Sequence, residues 1–322
     1  MKAIQLKAYG RPIEDIGVVE ISESRVINND EAVIEVLYSP VNLSDLLLAW
    51  GTYPVQPELP SVIGGEGVGR VVSIGSAVST VKPGDLVNIP FGTFAWSEKV
   101  TVKAAELIPL PADIDLQQAA MLSINPPTAV LLLNEFVPLN AGEWVVFNAA
   151  NASVSHSIIA VAKSKGIKTL GLVRRKEAVD IVRKAGADVV LVDDEKVVSE
   201  AKKATNNARI KLGLDAVGGK ATSSIAEILG YDSHLVSYAI MSGEPIIVSQ
   251  IDIIFKQVTI HGFYMYLPQY LPKLKNALYE SIQLLKQGKI NVPVSEVYPP
   301  EKVKEAIEHT LKGGKVLLQF KS

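Results

Sequence analysis

The 322-residue chain contains no cysteine. That absence excludes disulfide scaffolds, thiol catalysis, iron–sulfur clusters and cysteine-bound zinc. There is no excess of either charge, since 32 Lys+Arg stand against 34 Asp+Glu for a formal net charge of −2. A basic footprint for nucleic acid is therefore missing. No apolar run approaches the ~20 residues of a membrane helix; segments such as Thr128 to Leu133 are far shorter. No charged stretch leading into an apolar one opens the chain, so no secretory signal is visible and a cytoplasmic protein is expected. What is present is apolar enough to fold, because 48% hydrophobic residues exclude disorder. At ~150 residues per domain, the length implies two domains.

The pattern changes character twice. Up to about residue 120, short β-branched runs (Ala32 to Tyr38, Gly67 to Ile74, Leu86 to Pro90) alternate with turn signals such as Lys82-Pro83-Gly84-Asp85. From about 125 to 265, strand and helix alternate. Trp144 to Phe147, Lys168 to Val173, Val189 to Val192, Leu212 to Val217 and Leu235 to Tyr238 read as strands. Between the first two of these, Val154 to Lys165 has helical spacing, with Gly166 placed to end it. Repeated βα units predict a parallel, doubly wound sheet. Leu271 to Lys286 and Glu301 to Leu311 read as helices, and Lys315 to Phe320 as a closing strand. The expected division is 1–122, 123–265, and 266–322 as a return to the first domain.

In such a sheet the first βα turn faces a pyrophosphate with backbone amides and the positive helix end. Here the turn is Asn148-Ala149-Ala150-Asn151-Ala152-Ser153-Val154-Ser155, without any glycine of the usual G-x-G-x-x-G. A Cβ costs about 1–2 kcal/mol wherever φ must be positive. Ser153 and Ser155 are expected to compensate in part by capping the helix and donating hydroxyl hydrogen bonds. An ordinary cap without a ligand is the competing reading. After the second strand stand Arg174, Arg175 and Lys176. An acidic residue there holds a ribose 2′-OH, whereas Arg suits the 2′-phosphate of NADP. The alternative is a solvated basic start to the next helix, a poor site for positive charge.

Further motifs carry a resemblance. Gly64-Gly65-Glu66-Gly67-Val68-Gly69 and Val81-Lys82-Pro83-Gly84-Asp85 resemble the GroES-like catalytic domain of the medium-chain dehydrogenase/reductase superfamily. Asp215-Ala216-Val217-Gly218-Gly219 resembles the loop after its fourth nucleotide-domain strand. Gly51-Thr52-Tyr53-Pro54, Pro57-Glu58-Leu59-Pro60 and Asn125-Pro126-Pro127-Thr128-Ala129 are similar to the mitochondrial-type trans-2-enoyl thioester reductases. The implied fold is α/β: a mostly-β GroES-like domain, built from both chain ends, plus an inserted Rossmann domain with a doubly wound parallel sheet.

Zinc is argued against by the residues. Alcohol dehydrogenases of the superfamily use a Cys and a His in the loops that here carry Asn42 and Gly65. The four histidines (His156, His234, His261, His309) show no ligand spacing and read as isolated surface or packed side chains. No metal site is expected. Without a Lewis acid, alcohol oxidation loses its usual alkoxide stabiliser, while reduction of an activated C=C bond remains feasible.

The resemblance implies NADPH as cofactor and Tyr53 as proton donor. A phenol with reference pKa of about 10 stays protonated near neutral pH. The competing reading packs the Tyr53 ring in its Pro-flanked loop. Asn125 is implied near the nicotinamide and the donor; alternatively it is a helix cap or turn residue ahead of two prolines. Asn151, Ala152, Ser153 and Val154 are implied at the pyrophosphate, and Arg174, Arg175 and Lys176 at the adenosine phosphate. Tyr238, Ala239, Ile240 and Met241, with Phe263, Tyr264 and Met265, are implied on the nicotinamide side, and Lys315 near the cofactor. Tyr238 and Phe263 equally suit core positions. This chain departs from the family at Ser153 and Ser155, where glycines are usual, and at Tyr264, where Trp is common. A homodimer is implied, and the small-molecule substrate is an enoyl thioester or, alternatively, a quinone. A non-catalytic nucleotide-binding protein is the third reading.

Overall fold

Residues 1–26 and 28–321 are described by the structure, a computed structural model. Two units make up the chain: Met1–Ile124 joined by the segment from Val292 onward, and Asn125–Asn291.

In the first unit, alternating β-branched segments build two sheets. The larger one runs Val294–Tyr298, Lys315–Gln319, Glu31–Pro40, Gly67–Ile74 and Leu86–Ile89, with Lys99–Lys103 also paired to Glu31–Pro40. Lys315–Gln319 lies antiparallel to Glu31–Pro40, so hydrogen bonds tie the last strand to the front of the chain. A second sheet orders Ile16–Glu20, Lys2–Leu6 and Ser61–Val62. The core between includes Ile4, Leu6, Leu46, Ile63 and Leu318 around the fully buried Trp96. Trp96 Nε1 donates to the Pro40 carbonyl at 3.2 Å. Its ring explains the first glycine of the Gly64-to-Gly69 motif. Gly64 has φ +102°, and a Cβ there would sit 2.1 Å from Trp96 Cδ1, so the position excludes a side chain both by conformation and by space.

The second unit holds six strands: Trp144–Phe147, Lys168–Val173, Val189–Val192, Leu212–Asp215, Ser233–Ser237 and Val258–Gly262. Counted along the chain, their spatial order is 3-2-1-4-5-6, all parallel. This is the doubly wound order, with its switch point between the first and fourth strands. Strands buried on both faces read as apolar runs rather than alternating ones, as the fully buried Trp144–Phe147 shows. One face packs Val146, Leu170, Leu172 and Leu235 against Val197, Ala201, Ile225 and Ile228. On the helix Asn125–Asn134, Pro126 to Leu133 are all buried, and it packs against Ser153–Ser164 and Leu271–Lys286.

That packing corrects one expected boundary. Residues 266–291 belong to the second unit and not to the return of the first domain, since Leu271–Lys286 buries Ala277, Ile282, Leu284 and Leu285 there. Among the described residues, no helix is long and apolar enough to cross a membrane.

Candidate active site

Because the six strands are parallel, the segments leaving them share one edge of the sheet. Asn151–Val154, Arg174–Lys176, Tyr238–Met241 and Phe263–Met265 all follow strand C-termini, where ligands bind in open α/β sheets. After the first strand, Ala149 takes φ +46°, the left-handed conformation that glycine usually supplies. Its carbonyl accepts from Ala152 N at 2.8 Å and from Ser155 Oγ at 3.0 Å. The expected capping by serine is therefore corrected. Ala152 is the N-cap and has no side-chain acceptor, while Ser155 braces the turn from behind. Ser155 and His156 amides both bond to Ala152 O. The Ser153 and Val154 amides at the first turn are left for an external acceptor.

At the switch point, Asn148 directly follows the first strand and Asp215 ends the fourth. Asn148 Nδ2 donates to Asp215 Oδ1 at 2.5 Å, and Asn148 Oδ1 accepts from Ala216 N at 2.8 Å. Asp215 Oδ1 also accepts the Val217 and Gly218 amides at 3.0 and 3.1 Å, and Oδ2 accepts Thr222 Oγ1 at 2.8 Å. Both side chains are buried. Sequence reasoning missed Asn148 as an organiser of the site. The available signal was an amide side chain directly after the apolar run Trp144–Phe147.

Arg174, Arg175 and Lys176 are exposed at the second strand's end, and their charges form no ion pair among the described residues. Tyr238–Met241 lies along the loop after the fourth strand, with Tyr238 N bonded to Asp215 O and Met241 N to Ala216 O, each at 3.0 Å. The Tyr238 hydroxyl is buried without a well-formed hydrogen bond, and burial pushes its pKa upward. Ile240 and Met241 are exposed. Phe263 and Met265 are core side chains: Phe263 packs on Tyr270 at 4.9 Å between ring centroids, and Met265 Sδ accepts from Thr128 Oγ1 at 3.2 Å. Tyr264 stands edge-on to Tyr266. Asn125 opens the helix Asn125–Asn134, partly exposed.

Tyr53 belongs to the first unit. It follows the helix Leu43–Ala49, its amide bonded to Leu47 O at 3.2 Å and its ring edge-on to Phe91 at 6.3 Å. The ring is half-buried against the core.

Lys315 lies inside the first unit, in a closed polar network. Its Nζ donates to Asn42 Oδ1, and Asn42 Nδ2 donates to Glu66 Oε1 at 2.9 Å. Glu66 Oε2 accepts the amides of Ser123 and Ile124 at 2.9 and 3.0 Å. Asp45 accepts the Asn42 amide at 2.8 Å and the Gly65 amide at 2.7 Å. Burial pushes Asp45 up to about 6 and Glu66 to about 7, opposed in part by the Lys315 ammonium. Burial also lowers Lys315, against the pull of both carboxylates.

Comparison with known proteins agrees with this geometry. A family model described as the alcohol dehydrogenase GroES-like domain matches residues 28–112. Another, described as zinc-binding dehydrogenase, matches residues 153–287. The mitochondrial enoyl-[acyl-carrier-protein] reductase of Rattus norvegicus is 31% identical, covering 96% of this chain and 86% of its own length. The chain belongs to the medium-chain dehydrogenase/reductase superfamily. Within that superfamily, a solved structure of Etr1p with NADP and crotonyl-CoA matches at a TM-score of 0.89 and 25% identity, with 99% of each chain covered. The Escherichia coli quinone oxidoreductase solved with NADPH matches at 0.86 and 26%, over 99% of this chain and 100% of that one. These similarities put the protein with the zinc-independent oxidoreductases of the superfamily.

The metal in one family description does not fit the residues here. Where the superfamily's alcohol dehydrogenases place a Cys and a His, this medium-chain reductase has Asn42, its amide already engaged on both sides, and Gly65, with no side chain. A buried Lys315 ammonium beside them repels a divalent cation. Among the described residues, no group of three or more His, Cys, Asp and Glu side chains is arranged to hold a metal. One expectation about histidine is corrected. His234 Nδ1 and His261 Nε2 are hydrogen-bonded at 2.8 Å from adjacent parallel strands, so these two are paired rather than isolated.

Proposed function

We propose that the protein uses NADPH to reduce the C=C bond of 2-enoyl thioesters. The observation that carries this reading is the Gly51-Thr52-Tyr53-Pro54 loop, which holds a half-buried phenol in the unit whose zinc-ligand positions are closed by Lys315, Asn42 and Glu66. A proton donor is available where a Lewis acid is not. The names of the similar reductases support the same chemistry.

The nucleotide unit suits NADPH. The Ser153 and Val154 amides head a 12-residue helix, a fitting site for the pyrophosphate. Arg174, Arg175 and Lys176, without ion-pair partners among the described residues, suit the 2′-phosphate. When bound, NADPH supplies a hydride to the electron-poor β-carbon of the substrate. Negative charge then builds on the thioester oxygen, and hydrogen-bond donors such as the Asn125 amide stabilise it. Tyr53 delivers its hydroxyl proton to the α-carbon, and solvent restores the phenol.

We also propose that a second copy docks on the outer edge of the six-stranded sheet. Val258–Gly262 is hydrogen-bonded on one side only, and Ile251, Ile254 and Phe255 beside it in the chain are 64, 56 and 73% exposed. An open strand edge with apolar surface is a template for pairing.

Quinone reduction is the second reading, favoured by the similarity to the Escherichia coli enzyme. Following NADPH oxidation at saturating crotonyl-CoA and, separately, with a simple quinone distinguishes the two. Enoyl turnover is expected. Quinone turnover without enoyl turnover would overturn the proposal, and failure to bind NADPH in a titration would favour a non-catalytic protein.

A further inference from the structure

We propose that Glu66 is a positioning residue for the hydride-transfer step, acting through the Ser123 and Ile124 amides to set the start of the helix that carries Asn125. The inference rests on the reading of Asn125 as a group at the reacting centre. Glu66 is completely buried, and both its oxygens are committed: Oε1 to Asn42 Nδ2, Oε2 to the two consecutive amides. Its own carbonyl accepts Ser39 Oγ at 2.5 Å, so the acceptor is fixed from its backbone as well. Ser123 is held a second time, its hydroxyl donating to Ile89 O at 2.9 Å and accepting from Asn88 Nδ2 at 3.3 Å.

Ser123 and Ile124 are the last residues before the chain passes into the nucleotide unit at Asn125. The helix begins Asn125-Pro126-Pro127-Thr128. Its two prolines have no N–H, so the first turn offers almost no donors by which a cap would fix its entry. The Asn125 amide makes no hydrogen bond among the described residues that would orient it. The Glu66 carboxylate, which takes both consecutive amides, and the Ser123 hydroxyl together anchor the chain immediately ahead of Asn125. A buried carboxyl is costly to keep, and an amide at this position has only one acceptor oxygen, so it cannot serve Asn42 and both backbone donors in the same way.

A double-mutant cycle between Glu66→Gln and Asn125→Ala tests this, read by kcat at saturating NADPH and acceptor and by the NADPH Kd. Glu66→Gln is expected to lower kcat at least tenfold while the NADPH Kd moves less than threefold. It should also speed amide exchange in the peptide spanning Ser123 and Ile124. The double variant should be no slower than Asn125→Ala alone, because one residue acts through the other. Multiplying kcat losses would overturn the proposal, as would kcat within twofold of the parent or kcat and cofactor affinity falling together. Glu66→Asp, which keeps the two acceptor oxygens on a shorter stem, is expected to lie between; should Glu66→Gln not fold, the cycle is run with it. If the parent turns over a quinone and not crotonyl-CoA, the enoyl reading fails by itself, and the same cycle on the quinone still decides the role of Glu66.

Discussion

Asn148 and Asp215 join the ends of the first and fourth parallel strands through a 2.5 Å hydrogen bond at the point where the strand order reverses. Around it, Asp215 gathers the amides of Val217 and Gly218 and the Thr222 hydroxyl, and so fixes the loop along which Tyr238–Met241 runs. Asp215→Ala leaves these donors buried without an acceptor. The expected cost is about 3–5 kcal/mol, read by denaturant unfolding. NADPH affinity should fall with it, because the walls of the cofactor crevice lose their tie.

Ala149 holds φ +46° in the phosphate turn. Ala149→Gly removes the Cβ that disfavours this conformation, and an increase in stability of about 1 kcal/mol is expected. An unchanged or lower unfolding midpoint would show that the turn carries no such strain.

Arg174, Arg175 and Lys176 stand exposed, without ion-pair partners among the described residues. Arg174→Ala removes a charge-assisted contact worth about 1.5–3 kcal/mol, so NADPH affinity should fall roughly 10- to 100-fold. NADH affinity should change little. Equal loss for both cofactors, measured by fluorescence titration, contradicts the 2′-phosphate assignment.

Tyr53→Phe keeps the ring that packs against Phe91 and removes only the hydroxyl. Folding and NADPH binding should be preserved while enoyl reduction falls by about 10²–10⁴-fold, the usual contribution of a general acid. Unchanged turnover removes Tyr53 from the donor role.

Glu66 and Asp45 make stability depend on pH in a definite direction. Burial raises them to about 7 and about 6 from 4.5 and 3.8, so the folded state binds their protons more tightly than the unfolded chain. Their stabilising contribution is full below about pH 4 and lost as pH rises through 6 to 7. His156 and His261, which burial lowers from 6.5, work oppositely as pH falls. Comparing the parent with Glu66→Gln isolates the carboxyl. Between pH 5 and 8 the parent should lose stability relative to the variant, by on the order of 2–3 kcal/mol.

Local pattern made much of the nucleotide unit legible. Trp144–Phe147, Lys168–Val173 and Val189–Val192 fall where their apolar runs predict. The helix Ser153–Ser164 differs from its predicted span by one residue, and Gly166 ends it at φ +69°. Of the helix Asn125–Asn134 only a cap at Asn125 was among the readings, because a helix buried all round shows no amphipathic period and two prolines stand at its start. The Glu66 network was invisible for a different reason. Lys315 meets Asn42 across 273 residues and Ser123 meets Glu66 across 57, and no local periodicity reports contacts of that range. Asn42 and Gly65 were legible as non-ligands of zinc, but not as members of a network that fills their place.

The central claim is tested most directly by reducing crotonyl-CoA with NADPH in D₂O and locating the label in the product by mass spectrometry. The account predicts butyryl-CoA with one solvent deuterium at the α-carbon and the cofactor's unlabelled hydride at the β-carbon. Absence of butyryl-CoA from an enzyme that binds NADPH and reduces a quinone, or solvent deuterium at the β-carbon, would contradict it.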